Sequence, residues 1–216
     1  MPPTIKKWKY DNIAELLSAL GGISPDRVCA NPPPGTATRS DLLRKDGKGK
    51  RYELVKRTLV EKPMGFPESF LALELAYILR CYLEENDAGF LCGPDVLIRL
   101  FLGLVRSPDL CFVAWTLRPD KTVPREPISR LIPELVVEVL SPSNTAKEMQ
   151  RKRKEYFQAG VRVVWMIDPE NYKAEVYTDP DTTIEVPETG TLDGGEILPG
   201  FQLSLKKLFS RLERPA

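Results

Sequence analysis

The sequence predicts an α/β domain: a mixed β-sheet flanked by helices, with extra β-hairpins and an N-terminal arm. Three observations carry this. Phe70, Leu71, Leu73, Ala76, Tyr77, Leu79 and Leu83 form an apolar stripe at helical spacing, broad enough for a core helix. Leu135 to Leu140 and Val161 to Ile167 are short, nearly continuous apolar runs, as in strands covered on both faces. Between them lies a second helical pattern, and strands alternating with helices call for a mixed sheet with helices packed against it.

Taken in order, the chain opens with a short docking helix. Asp11 is placed to cap it, Ile13, Leu16, Leu17 and Leu20 share one face, and Gly21-Gly22 end it. Pro32-Pro-Pro-Gly35 breaks regular structure, and Arg39 to Arg51 holds six Lys or Arg with little apolar material, which reads as an arm or linker. Tyr52 to Val60 reads as a hairpin, closed by the turn Lys62 to Gly65. Pro67 and Glu68 suit the start of the core helix, which should end near Glu85-Asn86. Two β segments follow, Phe90 to Phe101 and Val105 to Leu117, then a proline-containing loop from Arg118 to Arg130. Thr145 is a helix cap with Glu148 as its capping-box partner and Gly160 as the stop near Gln158. After the strand Val161 to Ile167, Asp168 to Asn171 turns into a return strand Lys173 to Tyr177. The tail reads as two turn-rich strands and a helix from Leu205 to Leu212 capped by Ser204. The expected division is residues 1–50 as N-terminal helix and basic arm, and 51–216 as the main domain.

Composition narrows the function classes. The 216 residues are 28% charged and 42% hydrophobic with formal net charge +1, so neither disorder nor a globally basic nucleic-acid coat is indicated. Met1 to Tyr10 carries Lys6, Lys7 and Lys9 but no apolar core for export, and no stretch reaches membrane-spanning length, so the expectation is a cytoplasmic protein without membrane contact. Cys29, Cys81, Cys92 and Cys111 lack CxxC spacing and read as buried free thiols. Histidine is absent. That removes Ser-His-Asp and Cys-His mechanisms and leaves carboxylates, lysine, arginine, tyrosine or a hard metal.

The informative oddity is Glu138, a carboxylate inside the Leu135 to Leu140 run. An unpaired buried charge costs roughly several kcal/mol, so Glu138 needs a cation, hydrogen-bond donors or a metal. Asp109, after Pro108 at the mouth of Leu110 to Ala114, places a second acid on a neighbouring strand. Two such carboxylates form the all-oxygen set suited to Mg²⁺ or Mn²⁺, while a structural ion pair accounts for either acid alone.

These residues sit in a recognisable order. Arg106-Ser-Pro-Asp109, then Pro133-Glu-Leu-Val-Val-Glu-Val-Leu-Ser-Pro142, then Lys152 with Glu155 to Val161, then Trp165-Met-Ile-Asp-Pro169 resemble the Uma-type putative restriction endonuclease family of bacteria. The resemblance extends to Tyr52-Glu-Leu-Val55, Val60 to Gly65, Thr191 to Gly195 and Leu198 to Phe201. Each motif is common alone, but their joint order is specific. The resemblance implies a restriction-endonuclease-like PD-(D/E)XK core in which Asp109 and Glu138 bind Mg²⁺ or Mn²⁺, the Val139 carbonyl assists, and a lysine works beside them. Leu140 occupies the usual lysine position, and the resemblance places a substitute at Lys152. It also implies a DNA substrate and a homodimer.

The residues themselves support Lys152 without requiring it. Thr145, Met149, Lys152, Tyr156 and Ala159 share one helical face, so Lys152 lies on a mostly apolar stripe; Arg153 is its rival, and a solvated basic run from Lys147 to Lys154 is the bland alternative. Pro94-Asp95 is a second PD dipeptide, read as a turn. Glu68 either assists the site or favours its helix N-terminus. Glu53 and Glu61 match family positions but are ordinary for hairpin faces, so they stay outside the expected site. The functional expectation is Mg²⁺-dependent hydrolysis of DNA phosphodiester bonds by Asp109, Glu138 and Lys152, with Arg39 to Arg51 and Lys147 to Lys154 available to the DNA backbone. A nuclease fold that binds nucleic acid without turnover, and a protein-interaction domain whose acids are structural ion pairs, are the alternatives.

Overall fold

A computed structural model describes residues 10–45, 49–63 and 65–212. The lysines at positions 6, 7, 9 and 48, and Met64 of the predicted turn, lie outside the described residues.

Helix α1 (Ile13–Ala19) is capped by Asn12 rather than Asp11: Asn12 Oδ1 accepts the Glu15 N–H at 2.9 Å. A 3-10 turn at Pro25–Arg27 follows. The predicted linker is partly a helix, α2 (Arg39–Lys45), because Thr38 and Asp41 bond across its first turn and Leu42 is buried beneath it. One buried leucine per seven residues is too weak a pattern to be read from sequence.

Strands β1 (Tyr52–Val55) and β2 (Thr58–Glu61) form the expected hairpin. Helix α3 (Phe66–Asn86) has the expected bounds. Each of the two predicted β segments is split. Gly93-Pro94 separates β3 (Gly89–Cys92) from β4 (Ile98–Phe101), and Ser107-Pro108 separates β5 (Leu104–Arg106) from β6 (Leu110–Ala114). Proline cannot donate to a ladder, so the chain changes sheet at both points. Strand β7 (Leu135–Val139), helix α4 (Ala146–Ala159), β8 (Val163–Asp168) and β9 (Lys173–Tyr177) follow as read. The tail has three strands rather than two, β10 (Thr183–Val186), β11 (Thr191–Asp193) and β12 (Gln202–Ser204), before α5 (Leu205–Phe209).

The strands form a four-stranded sheet β2-β1-β5-β4, a six-stranded sheet β10-β9-β8-β7-β6-β3 and the pair β11-β12. Among the described strands only β7 and β8 form a parallel ladder, with α4 as their crossover. The period of two along β7 sorts its side chains. Leu135, Val137 and Val139 pack with Leu71, Leu75 and Leu79 of α3, while Val136 packs with Met149 and Tyr156 of α4. Glu138 has the parity of Val136, which aims it toward α4.

The N-terminal segment belongs to this second layer, since Leu16, Leu20 and Ile23 share a core with Val136, Met149 and Tyr156. Gly21 makes the approach possible: its φ is +94°, and a Cβ there would lie 2.7 Å from Glu148 Cα. Among the cysteines, Cys111 is buried, Cys29 and Cys92 are half-buried, and Cys81 is exposed on α3, against the expectation that all four are buried.

Candidate active site

The site forms where the chain crosses between the sheets. Asp109 immediately precedes β6 at the second proline break, and Glu138 lies near the end of the adjacent β7. The Asp109 N–H donates to Val137 O at 3.1 Å, and Asp109 Oδ2 accepts the Val139 N–H at 2.8 Å. The carboxylate is thus fixed against the strand that carries the second acid. Lys62, just after β2, donates to Ser107 O at 2.6 Å and meets Asp109 Oδ1 at 2.8 Å.

Across the strand, Glu138 Oε1 is held by two side chains from one face of α4. Lys152 Nζ lies 2.8 Å away, and the Tyr156 hydroxyl donates at 2.6 Å. Glu53 stands behind Lys152, its Oε1 3.5 Å from the ammonium. It also accepts from the Ser107 N–H at 3.0 Å and from Arg106 Nη1 at 2.6 Å. Arg106, fully buried, turns its other edge to Glu155 of α4, with Nε 2.9 Å from the carboxylate. A chain of alternating charge therefore runs Glu138, Lys152, Glu53, Arg106, Glu155, and it ties the small sheet to α4. Glu53, expected on a polar hairpin face, is a buried member of this chain. Nothing local marks it, because an acid on a short hairpin strand is ordinary.

The electrostatics follow from burial against pairing. For Lys152, burial disfavours the ammonium, but Glu138 and Glu53 outweigh it and hold the pKa above the usual lysine value. For Glu53, burial is outweighed by Lys152 and Arg106, which hold the carboxyl far below its usual range. Burial pushes the Glu138 carboxyl up, with Lys152 and Lys62 pulling against it. The two shifts across the Glu138–Lys152 contact thus pull in opposite senses, and the two donors on Oε1 decide for an ionised Glu138.

Asp109, Glu138, Val139, Lys152, Lys62 and Glu68 line one cavity of about 270 Å³, whose other wall is α3. Glu68 Oε2 is buried there with no hydrogen-bond partner among the described residues. Gly65 leaves room for it, since a Cβ at that position would fall 1.8 Å from the same oxygen. This donor set fits a hard dication, because every candidate ligand is oxygen and one buried carboxylate oxygen is unpartnered. Among the described residues no three Asp, Glu or Cys side chains are gathered closely enough to hold an ion by themselves. Two carboxylates, a backbone oxygen and water are the usual complement of Mg²⁺.

The remaining candidates lie elsewhere. Arg153 points to the far side of α4, its guanidinium 4.0 Å over the Tyr177 ring and its Nε 2.7 Å from Pro180 O. Asp95 is in a turn, paired with Arg51 at 2.6 Å. Glu61 meets Lys50 at 2.6 Å on the surface. Thr145 caps α4 as expected, accepting the Glu148 N–H at 3.0 Å. The Glu148 carboxylate does not return to the cap but accepts from Arg27 Nη1 and Nη2, at 2.8 and 2.7 Å.

A family model described as "Uma2: Putative restriction endonuclease" matches residues 39–206. Among solved structures, a putative nuclease belonging to DUF820 from Anabaena variabilis ATCC 29413 is similar, with TM-score 0.70 and 18% identity over 80% of this chain and 97% of that one. At that identity the likeness shows the fold alone. No curated protein matches the chain.

Proposed function

This chain belongs to the Uma2 putative restriction endonuclease family, and from that premise we propose that it is a Mg²⁺- or Mn²⁺-dependent endonuclease hydrolysing DNA phosphodiester bonds. The observation that supports the reading most is the convergence of Asp109, Glu138 and Lys152 in one cavity, with Lys152 Nζ 2.8 Å from Glu138 Oε1 although 14 positions separate them. A PD-(D/E)XK site needs two acids and a lysine together; here α4 supplies the lysine that Leu140 does not.

Asp109 and Glu138, with the Val139 carbonyl, would hold the ion. Mg²⁺ when bound supplies charge against the phosphate and acidifies a water. Lys152, kept as an ammonium by Glu138 and Glu53, orients that water or neutralises developing phosphate charge rather than accepting the proton. Tyr156 fixes the orientation of the Glu138 carboxylate. Lys62 holds Asp109 and must yield some of its contact for an ion to share that oxygen.

A non-cleaving nucleic-acid-binding module is the second reading, favoured by one fact: Asp109 and Glu138 each already face an ammonium. Plasmid, single-stranded DNA and RNA incubated with Mg²⁺, Mn²⁺ or EDTA separate the two. Cleavage of DNA that EDTA stops is expected, and binding without cleavage in every metal would select the second reading. A homodimer is part of the proposal, supported by Phe66, Leu73 and Tyr77, which stand 87%, 69% and 62% exposed along α3. A monomer mass by light scattering at micromolar concentration would remove it.

A further inference from the structure

The far end of the small sheet carries a feature that neither the core nor the cavity uses. The β1–β2 hairpin turns on two residues, Lys56 and Arg57, between the paired Val55 and Thr58. Both are left-handed, at φ 49° and 59°. A two-residue hairpin turn needs this conformation, and Asn-Gly is the pair that adopts it with least strain. Here two cations stand in its place. Both are exposed, and neither forms an ion pair among the described residues.

A second turn lies against the first. The Arg57 N–H donates to Gly103 O at 3.2 Å, which brings the β4–β5 turn alongside. That turn presents Leu102, 90% exposed, and Phe101, 41% exposed, and its register shifts between Arg99 and Phe101 as at a β-bulge. Arg57 O accepts the Ala37 N–H at 2.8 Å, which sets exposed Arg39 beside the same tip. The tip therefore combines three cations, with two protruding apolar side chains between strands anchored by buried Leu54, Leu59 and Val105.

We infer that this double-hairpin tip is a contact for duplex DNA, with Lys56, Arg57 and Arg39 on phosphates and Leu102 placed against the bases. Exposed cations on a tight turn suit a polyanion, and an exposed apolar side chain on the adjoining turn is the kind of element that wedges against base steps in groove-binding proteins. The inference rests on the endonuclease reading and adds where the substrate lies. Glu53 of the charge chain is three residues from Lys56 along β1 and Asp109 six from Gly103, so the tip reaches roughly 10–20 Å from the cavity. That is about three to six base pairs along a duplex from the bond to be cut.

The test is Lys56→Asn with Arg57→Gly, the turn pair that should fold at least as well while deleting both charges. Binding of a labelled 20-base-pair duplex is measured across salt concentrations with Ca²⁺ replacing Mg²⁺, beside plasmid cleavage in Mg²⁺. The variant should keep its melting temperature, bind about 10- to 100-fold more weakly near 0.15 M salt, and lose roughly two from the slope of log affinity against log salt. Leu102→Ser should weaken duplex binding several-fold with the slope unchanged. If the wild type binds and cleaves DNA and the double variant matches it in affinity and slope, the tip is not a DNA contact and the endonuclease reading stands. Wild type that neither binds nor cleaves any DNA overturns both. Loss of binding to anionic phosphatidylserine vesicles with DNA binding intact would assign the tip to a membrane surface instead and overturn the inference.

Discussion

Lys152 Nζ and Glu138 Oε1 lie 2.8 Å apart with side chains only 4% and 2% exposed, the one from α4 and the other from β7. Two consequences compete in such a pair. It is positioned for chemistry, and it is also a buried ion pair whose disruption strands a charge. Removing one partner of a buried pair costs about 3–5 kcal/mol, whereas replacing both by apolar groups of similar size is often neutral.

Lys152→Met should therefore lose both stability and cleavage, while Lys152→Met with Glu138→Leu should recover most of the stability and none of the cleavage. Urea unfolding and plasmid cleavage on the same samples check this. Lys154→Ala, whose pair with Asp181 is 42% and 71% exposed, should stay within about 0.5 kcal/mol of wild type and remain active. Arg153→Ala should lose its contacts to Tyr177 and Pro180 but keep turnover, since it faces away from the cavity. An inactive Arg153→Ala beside an active Lys152→Met would move the assignment one residue along α4.

Much of this site was legible because its residues break local rules. Glu138 interrupts an apolar run, Asp109 follows a proline at a strand mouth, and Lys152 shares a helical face with Met149 and Tyr156. Each is an inconsistency or a periodicity that one segment displays by itself. Glu53, Lys62 and Arg106 carry no such mark, because each looks ordinary on its own strand or turn, and only the packing of one sheet against α4 buries them together. The split β segments were hidden for a related reason. Gly93-Pro94 and Ser107-Pro108 announce breaks, but nothing local says that the strands on either side join different sheets.

Glu68 supplies a test of the metal that does not depend on turnover. Its Oε2 is buried without a partner among the described residues, so in the metal-free protein Glu68→Gln removes part of an uncompensated charge and should be neutral or stabilising. If that oxygen meets an ion or a water bound to it, the same change should weaken Mn²⁺ binding about tenfold, and Asp109→Ala should abolish it. Calorimetric titration of the three proteins with Mn²⁺ reads both. Equal binding by wild type and Asp109→Ala would end the metal assignment.

The last prediction concerns Arg27, which lies before the residues matched by the family model. Its guanidinium takes both oxygens of Glu148, one turn before Lys152, and donates from Nε to Glu61 O at 3.0 Å, beside Lys62. Arg27 thus braces two elements that carry cavity lysines. Burial raises the Glu148 carboxyl, but the Arg27 hydrogen bonds and Lys152 outweigh it, so the folded pKa lies below the ordinary value. A depressed carboxyl contributes stability above its unfolded pKa, about 4.3, and loses it as pH falls through the folded value. In Arg27→Met the hydrogen bonds are gone while the burial remains, so Glu148 is strained when charged and relieved when protonated. The stability gap between wild type and Arg27→Met should therefore be about 3–5 kcal/mol at pH 7, begin to shrink as pH falls through the raised Glu148 value of the variant, above the unfolded value of about 4.3, and go on shrinking as pH falls through the depressed value of the wild type. Glu53 and the other acids are common to both proteins and cancel in the difference. Urea unfolding at pH 7, 5 and 3.5 measures the gap, and a gap that stays constant across that range would mean that Arg27 acts through packing rather than through the Glu148 charge.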